Sequence, residues 1–176
     1  MTLEDRVDPK LLALRQAFDG SFAVPSDAER PDYLDFIAIR VAGDPYAVRL
    51  TEIQSLQASK VLVAAPSLLP ALLGVAGFRG VLTPVYDLGQ LLGYMGESSA
   101  KWLIVAQDVR PVGFAFGTFE AHLRVTLDRV APAEDAAGAV RGAVSSDAGA
   151  LPLLHLPSIV EGIAQRIKAF GSSQER

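Results

Sequence analysis

Apolar positions in this chain come in short runs that alternate in and out, broken every few residues by Gly, Pro or Asp. That rhythm predicts strands and tight turns rather than long helices. The most apolar stretch, Leu72 to Leu92, predicts a strand, a turn Gly77-Phe78-Arg79-Gly80, a second strand Val81 to Tyr86, and a short helix. Gly77 and Gly80 can supply the positive φ angles of a tight turn. Asp87 with Gln90 three residues on reads as a helix cap, and Gly93 as the helix end.

Upstream, Asp35 to Val41 and Tyr46 to Leu50 form a hairpin around Ala42-Gly43-Asp44-Pro45, with Tyr46, Val48 and Leu50 inward and Arg49 outward. Glu52 to Leu56 fits either a short helix or a continuation of the strand. A helical turn is expected near Ser67, between Pro66 and Pro70. Downstream, Trp102 to Ala106 and Val112 to Phe116 form a second hairpin around Asp108-Val109-Arg110-Pro111. Phe119 to Leu127 is a further strand, and Ala131 to Ala139 a loop. Val140 to Ser145 and Ala150 to Leu156 flank the turn Asp147-Ala148-Gly149. Helices are expected at both ends. Over 8–19, Asp8 caps, Pro9 opens, and Leu11, Leu14 and Phe18 share a face. Over 158–170, Ser158 and Glu161 make a capping box, Ile159, Ile163, Ile167 and Phe170 make the apolar stripe, and Gly171 follows. The first helix either folds back on the body or docks a partner.

The two halves repeat one pattern: Gly74 to Gly93 echoes Gly142 to Gly162, with Pro84 near the place of Pro152 and one residue slipped. Short strands at this spacing predict a mainly β protein of two small five-stranded barrels. Residues 1–32 are then a helix and linker, 33–170 the body, and 171–176 a tail.

Composition narrows the function classes. Half of the 176 residues are hydrophobic and only 20% are charged, so the core is generous or some surface is apolar. The net charge of −4 argues against nucleic acid. Absence of cysteine excludes disulfides, thiol nucleophiles and thiolate metal sites. The polar N-terminus is unlike a signal peptide, which points to the cytoplasm. Val61 to Phe78 carries no charge, but Pro66, Pro70, Gly74 and Gly77 break it and it is too short to span a membrane.

Catalytic chemistry finds no footing. The chain has no phosphate-binding loop, dinucleotide fingerprint or zinc-protease motif. Its histidines, His122 and His155, lack metal-ligand spacing, and Ser145-Ser146 reads as part of a turn. No cofactor or metal is expected. Gly77 to Gly80 also matches the G-x-x-G loop of KH domains, but that loop joins helices and this one joins strands. Arg79 stands out as the only charge between Val61 and Tyr86.

The run Gly74-Val75-Ala76-Gly77-Phe78-Arg79-Gly80-Val81-Leu82-Thr83-Pro84-Val85-Tyr86-Asp87-Leu88 resembles the central motif of CheW-like domains, roughly G-V-x-N-L-R-G-x-V-x-P-V-x-D-L. Tyr46 to Gln54 is similar to the family's upstream Y-G-I-D-I-x-x-V-x-E-V. The resemblance covers about Asp35 to Ile163. It implies two packed five-stranded barrels and a non-catalytic adaptor. That adaptor links the cytoplasmic tip of a methyl-accepting chemoreceptor to the regulatory domain of a CheA-type histidine kinase. The motif arginine falls on Arg79. Two departures stand out: the motif asparagine is Gly77, and a family glutamate falls on Ser55. Glu52 is then the nearest acid to pair with Arg79. The residues expected to meet a partner are Arg79, Phe78, Gly77, Gly80, Ser55 and Glu52. A reading from another class is a single-strand nucleic-acid binder that uses the barrel faces and the Gly77 to Gly80 loop.

Overall fold

The computed structural model describes residues 32–173, apart from 59, 68, 97–99, 109, 134, 136–137 and 148. The expected N-terminal helix and linker lie outside the described residues, as do 174–176. The strands are β1 Tyr33–Val41, β2 Asp44–Arg49, β3 Ile53–Ala58, β4 Leu72–Phe78, β5 Val81–Asp87 and β6 Trp102–Ala106. They continue as β7 Gly113–Phe116, β8 Thr118–Thr126, β9 Val130–Ala131, β10 Val140–Ser146 and β11 Gly149–Leu154. The helices are α1 Leu88–Leu91 and α2 Leu156–Ser173. Glu52 to Leu56 resolves into a 3-10 turn, Leu50–Glu52, running into β3. Among the described residues around Ser67 there is no helical turn; the Ser67 Oγ accepts the Leu69 N–H at 3.0 Å, and Leu72 N–H closes a turn onto Leu69 O at 3.1 Å. None of the described helices is long and apolar enough to cross a membrane.

The chain is mainly β, in two sheets. One has six strands, ordered β8-β1-β2-β11-β10-β9, and the other has five, ordered β3-β6-β7-β5-β4. Among the described residues neither sheet closes on itself, so the expected barrels are open sheets. The reason is local to each end: β3 and β4 have no ladder between them, nor do β8 and β9.

The repeat is closer than the sequence pattern indicates. The order β3-β6-β7-β5-β4 maps onto β8-β1-β2-β11-β10, with the parallel contacts β5–β7 and β11–β2 at matching places. Val75 faces Pro84 as Ala143 faces Pro152, and Phe78 faces Val81 as Ser146 faces Gly149. The helices open at Leu88 and Leu156, the next matching pair. Even the outermost partner repeats: Val63 bridges to Val75 as Ala131 pairs with Ala143. From Val63 to Leu88 no slip is needed. The expected slip came from matching Gly93 to Gly162, whereas α2 runs straight through Gly162 and Gly171.

Matching strands come from opposite parts of the chain. The first hairpin, β1–β2, sits in the sheet built by the C-terminal strands, and the second, β6–β7, sits beside β3, β4 and β5. Each hairpin is covered on both faces. Ile37, Ile39, Val41, Ile104, Ala106, Phe114 and Phe116 point into a core shared by the sheets, with Leu88 and Leu91 of α1 and Leu156, Ile159 and Ile163 of α2. Phe36, Ala38 and Ala47 point the other way into a small cluster with Val144, Leu151 and Leu153. Leu103, Val105 and Ala115 do the same with Ala76, Phe78 and Val85. Burial on both faces explains why these strands are nearly continuous in apolar residues instead of alternating. The loop after α1 is tied back by Tyr94, whose hydroxyl donates to Asp44 Oδ2 at 2.5 Å and meets the Tyr46 hydroxyl at 2.8 Å.

Helix α2 starts earlier than its sequence signals. His155 Nδ1 accepts the Ser158 N–H at 3.2 Å and also meets Ser158 Oγ at 2.8 Å. That displaces the expected box between Ser158 and Glu161, and Glu161 instead bonds Gln165 at 3.4 Å. Asp87 Oδ1 does cap α1, accepting the Gln90 N–H at 2.8 Å. The α2 stripe divides: Ile159 and Ile163 are buried, while Ile167 and Phe170 are 49% and 44% exposed.

Gly74 has a packing duty. Its φ is +148°, and a Cβ there would lie 2.5 Å from the carbonyl oxygen of Val63, the residue hydrogen-bonded to Val75. Gly74→Ala is therefore expected to cost about 1–3 kcal/mol, through strain and loss of the Val63 pairing. A denaturant melt measures it, and a cost below about 0.5 kcal/mol would contradict this role. Ile163→Ala removes a buried stripe residue and should cost about 2–5 kcal/mol. The exposed Ile167→Ala should stay within about 0.5 kcal/mol, and the same melts compare the two.

Candidate functional site

The β4–β5 hairpin turns on two residues, Arg79 and Gly80, with φ of +47° and +82°. Two positive φ angles match the right-handed twist of the strands, which is why such turns prefer glycine or asparagine. The expected turn at Gly77 begins too early. Gly77 lies in β4 opposite Leu82, and Arg79 itself takes the left-handed conformation. Alternation along β4 sends Phe78 into the small cluster and leaves Arg79 exposed at the tip.

Beside this tip lies an open groove of about 300 Å³. One wall is β3, with Gln54, Ser55, Leu56 and Gln57, and the other is Phe78, Arg79 and Val81. Lys60 and Pro111 complete it. The Lys60 ammonium sits over the Phe78 ring, 5.0 Å from its centroid, which holds a second cation near Arg79. No carboxylate lines the groove, and no ion pair to Arg79 forms among the described residues. The groove thus lies between β3, one edge strand of the five-stranded sheet, and the tip of the β4–β5 hairpin.

Three expected site residues therefore converge: Arg79, Phe78 and Ser55. Gly80 shapes the turn beneath them. Gly77 is on the outward face, where Leu82 is 77% exposed, and Val63, bridged to the neighbouring Val75, is 67% exposed. Glu52 is not Arg79's acid. Its Oε2 accepts the Leu156 N–H at 2.8 Å, at the start of α2, and its Oε1 lies 4.0 Å from Arg49. Sequence reasoning missed Lys60, Gln57 and Pro111. Lys60 had a legible signal, as the last charge before the uncharged run that ends at Arg79.

The two histidines lie elsewhere. His122 pairs with Asp35 at 2.9 Å on an exposed strand face, and His155 caps α2. Among the described residues no three His, Cys, Asp or Glu side chains gather as a metal site would require.

The profile of the CheW-like domain matches residues 35–164, most of the chain. The chain belongs to the CheW-like domain family. Its fold is similar to the crystal structure of the scaffolding protein TtCheW from Thermoanaerobacter tengcongensis, with a TM-score of 0.64 at 16% identity. That likeness covers 70% of this chain and 90% of the other. No curated protein sequence matches it.

Gly77 and Ser55, the two positions where the motif resemblance implies a departure, fall on either side of Arg79, one on the outward face of β4 and one in the groove. Glu52 serves the fold. Burial raises its pKa above the usual carboxylate value, against lowering by the Leu156 N–H, His155 and Arg49. An acid with a raised folded-state pKa favours folding while protonated and loses that contribution as pH rises through the raised value. Glu52→Gln keeps an acceptor for Leu156 N–H without a charge to bury. It should match or exceed the native stability at pH 7, with the difference shrinking as pH falls toward 4.5, the ordinary value. Glu52→Ala removes the acceptor and should cost about 1–3 kcal/mol. Melts across this pH range check both, and a Gln variant markedly less stable at pH 7 would contradict the account.

Proposed function

We propose that this protein is a non-catalytic CheW-type adaptor that couples a chemoreceptor tip, or another signalling input, to the regulatory domain of a CheA-type histidine kinase. Family membership supports the adaptor class, and the apolar composition suits a body that must fill a core and still present binding surface. It works in the cytoplasm, beside membrane-associated receptor arrays. An adaptor needs more than one surface. The cationic groove at Arg79 offers one, and the exposed apolar strip of Val63 and Leu82 offers another.

One observation carries the reading: Arg79 occupies a conformation that disfavours it and forms no described ion pair in return. A non-glycine residue in the left-handed region is strained by roughly 1 kcal/mol. Folding therefore gains nothing evident from an arginine here, whereas arginine is a frequent binding hot spot. Arg79→Gly is expected to leave the melting midpoint unchanged or raised, while capture of a CheA-type regulatory domain or a receptor tip weakens about tenfold or more. A purified variant that loses stability, with capture reduced only in proportion to the folded fraction, would contradict it.

A further inference from the structure

The four outer strands of the two sheets are not equally protected. Edge strand β8 carries exposed Glu120, His122 and Arg124, with Glu120 paired to Arg40 and His122 to Asp35. Edge strand β9 is only two residues long. The outer side of β4 is occupied by Val63, through bonds of 2.9 and 2.8 Å with Val75. Charges, shortness and cover are the usual means of blunting an edge. Among the described residues edge strand β3 has none of these three, and its register shift is confined to its start, between Ile53 and Ser55. Its sequence, Ile53-Gln54-Ser55-Leu56-Gln57-Ala58, contains no charge and no proline, and its ladder runs to β6 alone. Alternate residues of such a strand turn their N–H and C=O groups away from the neighbour. The groove lined by Gln54, Ser55, Leu56 and Gln57 runs along this strand, on the sheet edge away from β6.

We propose that the β3 edge is a strand-addition site, which takes an extended acidic segment of a protein partner as an extra strand in the gap between β3 and the β4–β5 tip. This rests on the adaptor reading and names its mode of contact. Main-chain bonds to β3 would supply affinity, and alternate side chains would supply specificity. The occupant's chemistry follows from the walls. Among the described residues Lys60 and Arg79 are the charged residues lining the groove, with no acid in that lining, and Ser55 and Gln57 are neutral hydrogen-bonding groups. An Asp or Glu on the added strand, directed at Arg79, would complete the pair that Glu52 does not make. The groove side of that strand would rest on Leu56, Val81 and the aliphatic stem of Lys60.

The probe is a synthetic octapeptide of alternating Val and Glu, titrated into the full chain by calorimetry with amide hydrogen exchange read in parallel. Binding should slow exchange within Gln54–Ala58. N-methylation of the peptide's alternate amides in one register should weaken binding about tenfold or more, and in the other register far less. Replacing Glu by Lys in the peptide should weaken it similarly. No binding of the parent peptide, binding without slowed exchange in β3, or indifference to N-methylation in both registers would overturn the proposal. Tighter binding of an oligo-dT strand than of the peptide would overturn it too. Slowed β3 exchange with the peptide, but no capture of a CheA-type regulatory domain, supports strand addition and refutes the adaptor reading.

Discussion

The two described sheets depend on two hairpins that are buried on both faces. β1–β2 and β6–β7 each lie in the middle of a sheet whose other strands come from elsewhere in the chain. Each turns one set of side chains into a small cluster and the other into the core shared by both sheets. Fully burying a side chain such as Phe36 or Phe114 is worth about 1.5–3 kcal/mol. Neither sheet keeps its core without the hairpin from outside its own segment. The exchange therefore couples the sheets, and α1 and α2 seal the junction from matching positions.

A sheet fixed at its centre leaves its edges to be settled locally. Charge protects β8, and Val63 covers β4, with Gly74 opening the space for that approach. What is left is one uncharged strand facing a hairpin tip across a groove. The tip holds Arg79 in strain, and Lys60 is pinned on the ring of Phe78. The rigid centre thus positions the cations, and the open gap gives a partner access to them.

Much of this was legible in the chain. The two hairpins, the Asp87 cap and the buried half of α2 follow from short apolar runs, turn residues and spacing. The repeat was visible at Pro84 and Pro152, but its register was not. Val63 and Ala131 hold equivalent places through backbone bonds, which leave no side-chain pattern. Barrel closure was misread because strand count does not reveal whether two edges pair. The site was half legible: Arg79 is conspicuous as a lone charge, and the family motif points to it and to Ser55. Glu52 was misassigned because nearness in sequence ranked it beside Arg79, while the fold turns it toward Leu156, far along the chain. Ile167 and Phe170 continue the apolar period of α2, yet periodicity does not say where the body beneath the helix ends.

We propose that a signalling partner engages this CheW-like fold at the groove between β3 and the Arg79 turn. Backbone amide shifts of the full chain, mapped during titration with the regulatory domain of a CheA-type kinase and then with a receptor-tip fragment, test it most directly. For at least one of them the largest changes are expected to cluster at Gln54 to Gln57, Lys60 and Phe78 to Val81. Two bound partners that both leave those residues unmoved, with changes centred instead on the exposed end of α2 or on β8, would contradict it.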